Sequence, residues 1–351
     1  MTTAQRLGFF TVSVLAALAL SNGLRAQDQP ETRVLRGPVI GLVHDRLSGV
    51  RPILGIPGAA TLGPAVLAQA GLESVALAPD GDCALAVLAR GRQVLVLKNL
   101  SSAPSAAVLD VPAGPARIAF SPSGDAAALY YSDTARAEVL TGLPGSTSLA
   151  WSFDLAGVQG ALAALAVSDG GSALLVAAAG EPAPVWLASP ATGQRYLYAT
   201  SASPSLTFLS RSEDVVIADA STGDVVLVHD PKGESRLTMI GGPAEGVSRP
   251  VAIAATRDNR RILVANAEPA GVVSLELAGD KPFRLACSCA PTTLERMAGG
   301  TAFRLNESGN GPIWLLDTAN SVPRIVFVPD QKQPRGGAGR TPVPQRTGGE
   351  R

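Results

Sequence analysis

Histidine is nearly missing from this sequence: His44 and His229 are the only two in 351 residues. A histidine-based metal centre needs three or four convergent ligands, and two histidines with no second His or Cys at ligand spacing do not supply them. A Ser-His-acid set would have to recruit one of the two, and nothing in their surroundings points to either. The Gly-x-Ser-x-Gly elbow, the phosphate-cradling glycine loop and the zinc-protease helix are also missing. Aromatic residues make up 4% of the chain, too few for a sugar-binding face tiled with Trp and Tyr. Neither charge dominates, with 29 basic and 29 acidic residues overall. Residues 27–330 hold 22 basic against 28 acidic groups, a charge of −6, and so lack the basic face of a nucleic-acid binder. Past the N-terminus no apolar run is long enough to span a bilayer. Helical periodicity is scarce as well, because turn signals interrupt every apolar run within about eight residues.

What is present is a repeat. Turns recur at Pro79-Asp80-Gly81, Pro122-Ser123-Gly124, Ser168-Asp169-Gly170, Arg211-Ser212-Glu213, Arg257-Asp258-Asn259 and Ala298-Gly299-Gly300. Aligned on Asp80, Ser123, Asp169, Ser212, Asp258 and Gly299, the steps are 43, 46, 43, 46 and 41 residues. Each turn lies between short apolar runs of strand character, such as Ser74–Leu77 and Ala84–Leu88, or Arg117–Phe120 and Ala126–Tyr131. A third run follows, as at Gln93–Leu97, Val185–Leu187 and Val225–Val228. That period belongs to four-strand blades arranged radially, so the reading is all-β. Six units are complete. Pro38–His44 and Val50–Leu54 read as two outer strands of a further, partial blade, since Val39 precedes Ala84 by 45 residues. The expected fold is therefore a seven-bladed β-propeller of four-stranded antiparallel blades over residues 33–330, with six blades the rival count. A strand near Thr32–Leu35, or one exchanged between the ends, would complete the first blade.

The ends read differently. Arg6 precedes an uncharged run from Leu7 to Leu20, and small Ala26 closes the segment. This is the layout of a signal peptide over residues 1–26, with cleavage after Ala26, export to the periplasm or beyond, and an uncleaved anchor as the alternative. No Cys lies nearby for a lipid anchor. Residues 27–32 read as a flexible lead. Residues 331–351 hold five basic residues and one acid among Pro and Gly, and read as a disordered basic tail.

Three sets of residues carry a family resemblance. Ala78-Pro79-Asp80-Gly81 and Ser121-Pro122-Ser123-Gly124 resemble the Ser-Pro-Asp-Gly turn of bacterial YVTN-type and WD-repeat-like propellers. Trp314-Leu315-Leu316-Asp317, Trp186-Leu187-Ala188-Ser189 and Val226-Leu227-Val228-His229-Asp230 match the end of their third strand. Ala191-Thr192-Gly193 and Ser221-Thr222-Gly223 are similar to their Thr-Gly bends. The resemblance covers about residues 33–329. It implies the fold and says little of activity, because such families include ligand binders, assembly platforms and some lactonases. The Gly-His element of eukaryotic WD repeats is absent.

Candidate functional residues are few. Glu73, Arg117, Arg249 and Glu295 lead into the inner strands and are the candidates for polar groups at one mouth of the central channel, with salt bridges between blades as the competing role. Cys287-Ser288-Cys289 would place two thiols on one face of an extended segment. A Cys287–Cys289 bridge, a bridge from one of them to Cys83, and buried free thiols all stay open, with oxidation favoured by export. Asp-rich turns such as Asp80-Gly81-Asp82 are explained by turn chemistry and lack the ligand density of a calcium loop. Trp186 and Trp314 take equivalent third-strand positions and read as packing, whereas Trp151 is the freer one. With no catalytic signature, the chain reads as a binding or protein-interaction scaffold for an envelope or extracellular protein or a small ligand. It implies no cofactor, no metal, no nucleic acid and no transmembrane helix in the mature chain, and is expected to be a monomer. The alternative is a propeller-type hydrolase or lactonase using inner-strand carboxylates, with or without a divalent metal.

Overall fold

The computed structural model describes residues 37–329, except 46–47, 68–70, 159, 279–281, 308 and 310. The expected signal segment, the lead, the strand near Thr32–Leu35 and the basic tail lie outside the described residues.

Seven antiparallel sheets follow one another along the chain and form the blades of a β-propeller. Blade 1 has three strands among the described residues, Val39–Asp45, Gly49–Ile56 and Ala59–Leu62. Blade 2 has four, Leu72–Leu77, Cys83–Leu88, Val94–Lys98 and Ser105–Val108. Blade 3 comprises Arg117–Phe120, Ala126–Tyr131, Arg136–Thr141 and Ser148–Asp154, and blade 4 Leu162–Val167, Leu174–Ala178, Ala183–Ser189 and Gly193–Thr200. Blade 5 is Pro204–Phe208, Val215–Asp219, Val225–His229 and Arg236–Gly241. Blade 6 is Pro250–Ala255, Arg261–Asn266, Gly271–Glu276 and Arg284–Ala286, and blade 7 is Glu295–Arg296, Ala302–Arg304, Ile313–Asp317 and Arg324–Val328. Two single 3-10 turns, Asp169–Gly171 and Pro243–Glu245, are the only helical elements among the described residues.

Burial explains why the middle of each blade is so apolar. The second strands of blades 2, 4 and 5 are buried along all or nearly all of their length. Both of their faces are covered by neighbouring blades, so these strands read as continuous apolar runs rather than alternating ones. At about 1.5–3 kcal/mol for each fully buried Val, Leu or Ile side chain, they supply the main driving force for stacking. The core is accordingly seven separate clusters, one at each interface between blades.

The ring closes through side chains. Ile40, Val43, Ile53 and Leu62 of blade 1 pack against Met297, Ile313, Leu315 and Val328 of blade 7. Arg324 in the outer strand of blade 7 adds a hydrogen bond to the Pro57 carbonyl at 2.9 Å. Among the described residues no sheet combines strands from both ends.

One expectation is corrected here. Val39–Asp45 is the innermost strand of blade 1, not an outer one. Its Leu42 sits between Leu77 and Ala78 of blade 2 and Glu295–Ala298 of blade 7, and Gly41 lies against Met297. The 45-residue spacing to Ala84 misled because the inner strands of blades 1 and 2 start only 33 residues apart, at Val39 and Leu72.

Candidate functional site

In blades 2 to 7 the residue after the inner strand donates its N–H to the start of the second strand. Ala78, Ser121, Ser168, Leu209, Thr256 and Met297 make this bond at 2.8–3.0 Å. The bond supplies a register for comparing blades. One position earlier stand Leu77, Phe120, Val167, Phe208, Ala255 and Arg296; two earlier stand Ala76, Ala119, Ala166, Thr207, Ala254 and Glu295. Five blades are apolar or nearly so at both positions. Blade 7 alone places an acid and a base there.

These inner strands enclose an axial cavity of about 480 Å³, walled largely by Ala76, Ala119, Ala164, Ala166, Ala252 and Ala254. Small side chains are what a crowded axis admits. Arg117, Glu295 and Arg296 are its only charged lining residues among those described. At the end where the six inner turns converge lies a second recess of about 280 Å³. It is bordered by Pro79 and Asp80, Pro122 and Ser123, Asp169, Ser210 and Arg211, Arg257, and Arg296 with Gly299 and Gly300, so each of blades 2 to 7 contributes. No described residue of blade 1 borders this recess, and the turns of blades 2 and 7 lie close together. A Cβ on Gly81, whose φ is +77°, would come within 2.7 Å of the Ala298 Cβ.

The turns hold one another in place. Asp169 accepts the Ser123 N–H from blade 3 at 2.7 Å and the Arg211 N–H from blade 5 at 2.6 Å. Asp125 of blade 3 accepts the Gly170 N–H of blade 4 at 3.0 Å. Asn259 of blade 6 makes two bonds with the Ser210 backbone of blade 5, at 2.8 and 2.9 Å. Burial pushes the Asp125 pKa up, but bonds from the Ser123 hydroxyl, the Gly170 N–H, the Ser121 hydroxyl and its own N–H outweigh this and hold it below the usual carboxylate value.

Arg296 divides the recess from the axial cavity, bordering both. Its guanidinium donates through Nη2 to the Pro122 carbonyl of blade 3, across the mouth from blade 7. Burial lowers its pKa and the neighbouring Arg257 charge lowers it further, with Asp169 acting in the opposite sense. Arg296 is not among the residues that the sequence singles out. Its departure from Leu, Phe, Val and Ala at the equivalent positions is the signal that would have found it.

The four residues expected at one mouth divide into two pairs. Arg117 and Glu295 line the axial cavity, whereas Glu73 and Arg249 do not. Arg117 donates to the Ala163 carbonyl of blade 4. Glu295 pairs with Arg304 at 2.5 Å, and the Arg304 side chain is only 7% exposed. Glu73 pairs with Arg92 at 3.5 Å and Arg249 with Glu268 at 2.5 Å, each within its own blade. For Glu73, Arg249 and Glu295 the expected bridges between blades are thus replaced by pairs within one blade, whereas the Arg117 bond runs between blades to a carbonyl.

Other singled-out residues also have defined settings. Cys287 and Cys289 are bridged, Cα to Cα 5.0 Å, in the segment that leads from blade 6 to blade 7. Cys83 is a buried free thiol in blade 2. Burial, then Asp80, pushes its pKa up to about 12 against the opposing Lys98 charge. His44 lies in blade 1, and His229 in blade 5, where its Nδ1 meets Asp214 Oδ2 at 2.9 Å. Trp186 packs edge-on against Tyr196, and Trp314 against Phe327, in each case across neighbouring strands of one blade. Trp151 is less free than expected, since its Nε1 donates to the Gly171 carbonyl of blade 4 at 2.7 Å. Among the described residues no three His, Cys, Asp or Glu side chains converge as a metal site would require. No described helix is long and apolar enough to cross a membrane.

These features define a seven-bladed β-propeller. No protein-family model matches the sequence and no curated protein matches it. Among solved structures it is similar to a putative 6-phosphogluconolactonase from Bacteroides fragilis, at 12% identity and a TM-score of 0.55, over 83% of this chain and 94% of that one. It is also similar to a functionally unknown protein from Desulfotomaculum acetoxidans, at 10% identity and a TM-score of 0.53, over 84% and 100% of the two chains. Likeness at these identities establishes the fold alone.

Proposed function

We propose that this chain is an exported propeller that acts as a binding scaffold, holding a ligand or protein partner over the mouth where the six inner turns converge. The observation that carries the reading is the composite recess itself, to which blades 2 to 7 each contribute. The Ala-rich walls of the axial cavity are poor in reactive groups, and the Glu295 carboxylate faces Arg304. Those features give the lactonase or hydrolase reading no support of its own. Export rests on the sequence of residues 1–26, and N-terminal sequencing of the mature protein tests it: a start at Gln27 agrees.

Capture from the cell envelope tests the binding face. The wild-type chain is compared with Arg211→Glu/Arg257→Glu at the turn mouth and Leu237→Ser/Met239→Ser on the exposed outer strand of blade 5. The reading expects the turn-mouth variant alone to lose whatever the wild type retains. Equal loss or equal retention by both variants contradicts it.

A further inference from the structure

We propose that Arg211, Arg257 and Arg296 form a receptor for the oxyanion of a small molecule, a carboxylate or a phosphate, in the turn-mouth recess. The inference rests on the reading of this mouth as the binding face and names the chemistry of its occupant.

Charge supplies the first argument. Elsewhere on the ring, Arg51, Arg92, Arg249, Arg304 and Arg324 each face a carboxylate within 4 Å. At the mouth, the side chains of Arg211 and Arg257 have no hydrogen bond or ion pair with any described residue. Two acids, Asp80 and Asp169, share the recess with three arginines, so its border carries a net charge of +1. Asp169 accepts two backbone N–H groups, and Asp80 accepts the Asp82 N–H at 3.1 Å. The recess is therefore bordered by net positive charge, although residues 27–330 as a whole carry a charge of −6.

Donor geometry supplies the second. A guanidinium offers five N–H donors and no acceptor. Arg296 directs one toward Pro122, and the rest have no described partner. The Arg257 stem runs beside Gly300, its Cδ at van der Waals distance from where a Cβ on Gly300 would stand, 3.5 Å. Arg257 and Arg296 are close enough for each charge to act on the other. An oxyanion between them relieves that repulsion and takes the planar, bidentate contacts that arginine gives carboxylates and phosphates.

Size supplies the third. A recess of about 280 Å³ admits a small anion or the head of a modest molecule, not a folded domain. Arg296 bars entry to the alanine-walled cavity behind it, so the anion rests at the mouth.

Calorimetry with the purified mature chain tests the inference, with inorganic phosphate in one arm and succinate in the other, at constant ionic strength. Saturable binding of either probe with Kd below about 1 mM is expected, weakened at least about tenfold by Arg257→Gln and by Arg211→Gln. The probe that binds identifies the source as phosphate or carboxylate. Both substituted side chains are exposed and unpaired, so the thermal midpoint of each variant should match that of the wild type. Binding of both probes weaker than about 1 mM overturns the inference, as does binding that the two substitutions leave unchanged. Because this assay contains no partner, its failure leaves the scaffold reading to the envelope capture, and the two failures stay distinct.

Discussion

The Asp169 carboxylate of blade 4 accepts the backbone N–H of Ser123 in blade 3, Oδ1 to N 2.7 Å, so a turn of one blade positions the turn of its neighbour. Its other oxygen does the same for Arg211 of blade 5. The recess at this mouth is thus held by the same carboxylates that terminate the inner hairpins.

Replacing Asp169 should loosen three turns at once. Bonds from N–H groups to a carboxylate contribute about 1.5–3 kcal/mol each when well shielded. Asp169 is half-buried, so Asp169→Ala is expected to cost about 2 kcal/mol in total. The urea midpoint should fall with an unchanged slope, while Asp110→Ala at an exposed, unpaired acid should shift it little.

Acid should destabilise the ring through the same turns. The folded pKa of Asp125 lies below the ordinary 3.8, as does that of Asp258. Between the folded and unfolded values the unfolded chain binds more protons, so stability is fully present above the unfolded pKa and is lost as pH falls through the folded one. Denaturation midpoints measured from pH 6 downward should therefore drop below about pH 4. Asp125→Asn should make that drop shallower.

Blade 7 should tolerate a return to the pattern of the other blades. Glu295 pairs across strands with Arg304, where the corresponding pairs are Ala76 with Leu85, Ala166 with Leu175 and Ala254 with Leu263. Glu295→Ala leaves the buried Arg304 with only the exposed Glu307, at 3.6 Å. The expected loss is about 1–3 kcal/mol, less than for a wholly buried pair because Glu295 is half exposed. Glu295→Ala/Arg304→Leu should regain most of it, as read by thermal or urea unfolding.

Thiol counting should separate the three cysteines. A thiol reagent should label none in the native protein, one after denaturation without reductant, and all three after denaturation with reductant. The native silence of Cys83 follows from burial and its raised pKa, since the thiolate is the reactive form.

Legibility in the sequence followed burial. The second and third strands of the complete blades are apolar almost throughout, and their runs stood out with the right period. Outer strands such as Ser105–Val108 and Arg236–Gly241 are mostly exposed, so no apolar pattern marked them. Asp169 was read as a turn former, which it is, but its bonds run to turns 46 and 42 residues away and leave no local trace. The recess was illegible for the same reason: its members come from six separate blades, and only folding brings them together. Glu73 and Arg249 looked equivalent to Glu295 because each opens an inner strand, yet a partner in a neighbouring turn draws each away from the axis.

Site-specific photo-cross-linking in envelope extracts tests the central claim most directly. A photoreactive side chain is placed in turn at position 257, on the turn mouth, and at position 239, on the exposed outer strand of blade 5. The account predicts a discrete adduct from position 257 and none from position 239. Adducts from position 239 with none from position 257 would contradict it.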